Sequence, residues 1–86
     1  MKIQKDSKDQ IYTEIENVRI TYVPATGRGG DKDWAGSDVI RIQAKEGPNS
    51  NRLYPGAEFP ASSPEDFADF VAAICTVYAD GRRAAP

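Results

Sequence analysis

The stretch Ser63-Pro64-Glu65-Asp66, followed by apolar residues at Phe67, Phe70, Val71, Ile74, Val77 and Tyr78, constrains the fold more than any other part of the chain. Ser63 is placed to cap free backbone N–H groups, and Pro64 suits the first helical position, where its missing N–H costs nothing. Glu65 and Asp66 put negative charge at the positive end of the helix dipole. The apolar residues recur three and four apart on one stripe, and Gly81 is the expected end of the helix. Such a helix must bury its stripe against something else.

What precedes it reads as strand. Ile11, Thr13 and Ile15 alternate with polar neighbours; after Asn17 the alternation resets, with Val18, Ile20 and Tyr22 on one side and Arg19, Thr21 and Val23 on the other. A period of two with many β-branched residues is the mark of a strand. The phase slip at Glu16-Asn17 fits either a bulge in one long strand or a tight turn between two short ones. Residues 38–44 form the next strand, and 47–51 are a turn. Residues 52–59 are a third candidate, interrupted by Pro55-Gly56 and therefore suited to an edge or a bend.

These elements predict an α+β fold in which a small antiparallel sheet of three or four strands packs against one C-terminal helix. The expected core brings Ile20, Tyr22, Ile40 and Ile42 of the sheet against Phe67, Phe70, Val71 and Ile74 of the helix. Residues 1–10 are expected to be a flexible charged arm that orders on a partner or against a sheet edge. Residues 11–81 would be the single domain, and 82–86 a flexible tail.

At 86 residues the chain holds one small core, and a domain of this size buries only about 60% of its unfolded surface. Its single cysteine, Cys75, cannot form an intrachain disulfide, and it has no histidine. Missing such staples, the chain is expected to gain stability as a homodimer, with Val77 and Tyr78 the leading candidates for the junction. Histidine-dependent triads and His-ligated zinc are excluded by composition, no metal or other cofactor is expected, and no enzyme activity is expected. Neither an export signal nor a membrane-spanning stretch is visible, which with one unpaired thiol points to a reducing, cytoplasmic setting.

Charge is unevenly spread. Residues 1–57 hold nine basic and eight acidic side chains, whereas residues 58–80 carry Glu58, Glu65, Asp66, Asp69 and Asp80 with no basic residue. Such a helix repels phosphate, so a nucleic-acid surface would have to lie elsewhere. Arg19 and Arg41 fall on the strand face opposite the expected core face. Arg28, Lys32, Trp34, Arg52 and Tyr54 belong to the adjoining loop or last strand. Basic groups along a sheet with aromatic rings for stacking are what single-strand binding needs, although carboxylates are interspersed among them. The loop 24–37, with four glycines and four charged side chains, is expected to be mobile and a contact site. Trp34, its one large apolar residue, would either pin the loop to the sheet or serve as a contact hot spot.

The run of elements through Val39-Ile40-Arg41-Ile42, Leu53-Tyr54-Pro55-Gly56, Glu58-Phe59-Pro60 and Ser63-Pro64-Glu65-Asp66-Phe67 resembles the positive-cofactor-four-like single-stranded DNA-binding domains over about residues 18–78. The resemblance implies a dimer whose sheets bind single strands. It would place Arg19, Arg41 and Arg52 on the binding sheet and Phe70, Ile74 and Val77 at the core or interface. Two readings follow. The first is a non-catalytic protein-interaction or regulatory domain acting as a homodimer with an unidentified protein partner. The alternative is a single-stranded nucleic-acid-binding protein using the open sheet face.

Overall fold

The computed structural model describes residues 1–28 and 34–85. Five strands form one antiparallel sheet in chain order: β1 (Gln4–Lys5), β2 (Ile11–Ile15), β3 (Val18–Val23), β4 (Val39–Ala44) and β5 (Ala57–Pro60). The helix α1 (Pro64–Ala84) follows. The fold class is the expected α+β, with one strand more than predicted, because the N-terminal arm pairs with the sheet edge (Gln4 opposite Tyr12, Lys5 opposite Ile11). Thr13 helps hold the arm there by donating its hydroxyl to the Lys2 carbonyl at 2.7 Å. Glu16-Asn17 is a tight turn, with Ile15 opposite Val18 and Glu16 at a φ of 55°. In the interrupted third segment, Leu53 bridges Lys45 and regular pairing resumes only at Ala57, beyond the prolyl-glycyl break. Gly56 is required there: a Cβ would sit 1.8 Å from the Ile42 carbonyl oxygen.

The register sorts the sheet into two faces. On the first, Ile20 lies opposite Ile42, Tyr22 opposite Ile40, and Ile40 opposite Phe59. On the second, Arg19 lies opposite Gln43, Thr21 opposite Arg41, Val23 opposite Val39, and Arg41 opposite Glu58. The fully buried apolar residues are Val23 (1% exposed) and Val39 (0%), both on this second face. They lie on the face where Arg28, from the segment after β3, reaches across to Glu58.

This corrects the expected core. Ile20, Ile40 and Ile42 are only partly buried, Tyr22 is exposed, and no described residue of α1 is buried. The helix starts against β5, where Phe59 stacks on Phe70 (centroids 4.7 Å apart) and on Phe67 (6.2 Å). It then runs beyond the sheet. Exposure climbs along the stripe from Phe67 (36%) through Val71 (41%) and Ile74 (53%) to Val77 (72%). A 21-residue helix is about 30 Å long, more than a sheet of two- to six-residue strands can cover from one edge.

The helix opening is as read from sequence. Ser63 Oγ accepts from the Asp66 N–H at 3.3 Å and Pro64 sits in the first turn. Replacing Ser63 by Ala is expected to lower stability by about 0.5–2 kcal/mol in a urea melt. The far end differs: Gly81 is helical and the helix continues through Ala84, so Arg82 and Arg83 lie in the last turn rather than in a tail. Two cations beside the negative end of the dipole favour this continuation. The segment joining β5 to α1 is fixed by the Ala61 N–H to the Asp38 carbonyl (2.8 Å) and by Ser62 Oγ, which accepts from the Asp38 N–H (2.8 Å).

Candidate interaction surfaces

Three surfaces stand out, and each follows from how the strands and helix are placed. The first is apolar. On the first sheet face Ile11 (51%) and Ile15 (49%) are open, Tyr22 is exposed, and the stripe of α1 beyond Phe70 is open too. Val77 and Tyr78, the expected junction residues, are among the most exposed apolar side chains and line an almost wholly apolar groove with Phe70, Ala73 and Ile74. Exposed apolar groups of this size make these faces candidate contact surfaces.

The second surface is the polar sheet face, built from two carboxylates that each hold two cations. Glu14 binds Arg19 (2.9 Å) and Lys45 (3.2 Å); Glu58 binds Arg28 (2.9 Å) and Arg41 (2.6 Å). Burial alone would raise the Glu58 carboxyl, but hydrogen bonds from Arg41 and Arg28 and their charges outweigh it and hold the group below its usual range. The same balance, with Arg19 and Lys45, lowers Glu14. Arg28 is the most enclosed of these, its side chain 2% exposed, and it also donates to the Trp34 carbonyl at 2.7 Å and the Ser37 carbonyl at 3.3 Å. Arg19 further stacks its guanidinium over Tyr12, 4.1 Å from the ring centroid.

The structure therefore brings Arg19, Arg28 and Arg41 onto one face, but as paired groups. Arg52 and Tyr54 lie apart, exposed beside the 47–51 turn, with Arg52 3.5 Å from Glu46 and 5.7 Å from the Tyr54 ring. Lys32, Asp31 and Asp33, and with them the most glycine-rich part of the expected mobile loop, lie outside the described residues. Glu14 and Glu58 were not singled out from sequence as the centres of these clusters. Their role depends on strand register, which sets Glu58 opposite Arg41 and Glu14 opposite Arg19.

The third surface is a groove of about 360 Å³ between the Trp34 segment, β5 and α1, lined by Trp34, Pro60, Asp66, Asp69, Phe70 and Ala73. Trp34 is tied to the sheet, the first of its two expected roles. Its Nε1–H donates to the Glu58 carbonyl at 3.2 Å, pinning it to the sheet edge, while the residue stays 48% exposed.

No group of metal-ligating side chains occurs among the described residues, and no described helix is long and apolar enough to cross a membrane. No protein-family model matches the chain, and no curated protein or solved structure shows significant similarity to it.

Proposed function

We propose that this protein is a non-catalytic interaction or regulatory domain that acts as a homodimer in a reducing, cytoplasmic setting. The observation that carries this reading is the pair of apolar surfaces one copy leaves open: the outer two thirds of the α1 stripe and the Ile11, Ile15 and Tyr22 side of the sheet. Burying one large aliphatic or aromatic side chain is worth about 1.5–3 kcal/mol, so several exposed together strongly favour association. A second copy has both matching surfaces and is always present with the first. Two-fold pairing closes the contact without leaving an unfilled end.

A second reading, single-strand binding on the polar sheet face, draws on the same clusters. Four cations (Arg19, Arg28, Arg41 and Lys45) stand there against two carboxylates, leaving two positive charges in excess. The resemblance to the positive-cofactor-four-like domains supports the same reading. Against it, each cation already has a carboxylate to satisfy, and phosphate would have to displace that partner. Fluorescence anisotropy with a labelled oligo(dT) at low and high salt separates the two. The interaction-domain reading predicts no saturable binding; saturable binding that weakens steeply with salt gives the lead to the second.

A further inference from the structure

The groove beside Trp34 has a chemistry distinct from the apolar stripe. Asp66, Asp69 and Ala73 recur three and four apart on the flank next to the stripe; Phe70 and Ala73 border both grooves, whereas Trp34, Pro60, Asp66 and Asp69 line this one alone. A second copy seated on Ile74, Val77 and Tyr78 need not cover the four residues that line this groove alone. Its walls are an indole, a phenyl ring and a proline; its rim is two carboxylates that make no ion pair among the described residues. No basic residue occurs between positions 58 and 80, so the helix itself supplies no counter-charge along this rim. Glu65 adds a third negative charge one residue away, which outweighs the half unit of positive charge at the helix start.

We propose that this groove is the docking site for a lysine- or arginine-bearing segment of a partner protein, its aliphatic stems lying on Trp34 and Phe70 and its cationic heads meeting Asp66 and Asp69. Long basic side chains suit such a site because their methylene stems cover apolar surface while the head stays polar. Trp is also the best ring partner for a cation. An anionic segment meets like charge on the rim and gains nothing from the ring faces. The inference rests on the interaction-domain reading and names the chemistry of its partner.

Trp34 is the sole tryptophan, so its emission reports the groove directly. The experiment titrates the protein with a short peptide alternating lysine and leucine, and with its glutamate counterpart, while oligomer mass is recorded on the same samples. The lysine peptide is expected to shift and shield Trp34 emission. The Asp66→Asn/Asp69→Asn double variant is expected to weaken it about tenfold, as is raising salt from about 0.05 to about 0.5 M. Both substitutions are exposed and leave the Ser63 cap in place; circular dichroism confirms that the variant is folded, and Asp80→Asn serves as a matched control outside the groove. Overturning results are no response to the lysine peptide, an equal response to the glutamate peptide, an unchanged affinity in the double variant, or shielding of Trp34 by oligo(dT) alone. A dimer that ignores the peptide overturns the groove assignment while leaving the dimer intact, and a monomer that binds it does the reverse.

Discussion

Replacing Ile74 by Asp is expected to convert the proposed homodimer to monomer, raising its dissociation constant by about 100-fold or more, equivalent to about 2.7 kcal/mol. Ile74 sits at the middle of the 21-residue helix, so any two-fold pairing along the stripe brings it to the junction. Burying a carboxylate there is costly, and symmetry imposes the cost twice. Ile74 is 53% exposed in a single copy, so the substitution removes little packing within the chain. The matched change Ala72→Asp, on the opposite side of the helix, should leave the dimer intact. Analytical ultracentrifugation of the two variants at equal concentration checks the pair. Equal masses would show that the stripe is not the contact.

Replacing Glu58 by Gln is expected to lower stability by about 3 kcal/mol in a denaturant melt near neutral pH, because the Arg28 and Arg41 guanidiniums lose the charge between them. The cost falls mainly on Arg28, whose side chain is nearly enclosed. The pH dependence has a definite sign. Glu58 is held below its ordinary value of 4.5 in the folded chain, so its contribution is fully present above that value and is lost as pH falls through the lowered one. The gap between the natural protein and Glu58→Gln should therefore narrow on acidification below about 4.5. A gap that stays constant from pH 7 to pH 3 would show that the cluster contributes nothing through its charge. Glu14 carries the same sign toward Arg19 and Lys45.

Local chemistry made much of this fold readable. Ser63-Pro64-Glu65-Asp66 specifies a helix start by hydrogen bonding and charge alone, and the alternation through Val18–Val23 and Val39–Ala44 specifies strands by side-chain period alone. The end of the helix was less readable, since a glycine permits termination without requiring it, and Arg82 and Arg83 favour another turn. Of the two outcomes expected for the N-terminal arm, ordering against a sheet edge is the one observed; its strand residues are not legible in advance, because Gln4-Lys5 has no apolar rhythm and is held by edge pairing and the Thr13 bond.

The core was misplaced for a different reason. An apolar stripe states that a surface must be buried, not which molecule buries it. Ile20, Ile40 and Ile42 face the right side of the sheet, yet the helix that was expected to cover them leaves past β5. The buried apolar residues among those described, Val23 and Val39, lie on the face that carries Arg19 and Arg41. On that face Arg28, from the segment after β3, reaches Glu58, a long-range contact with no periodic signal. Of the candidate site residues, the placement of Arg19 and Arg41 on one face was legible from alternation. Their neutralisation by Glu14 and Glu58 was not, since it depends on register.

Sedimentation equilibrium across micromolar concentrations tests the central claim, that a second copy covers the open helix stripe and sheet face. The account predicts a species of twice the 9.4 kDa chain mass, dissociating only on dilution. A single 9.4 kDa species at every concentration would contradict it.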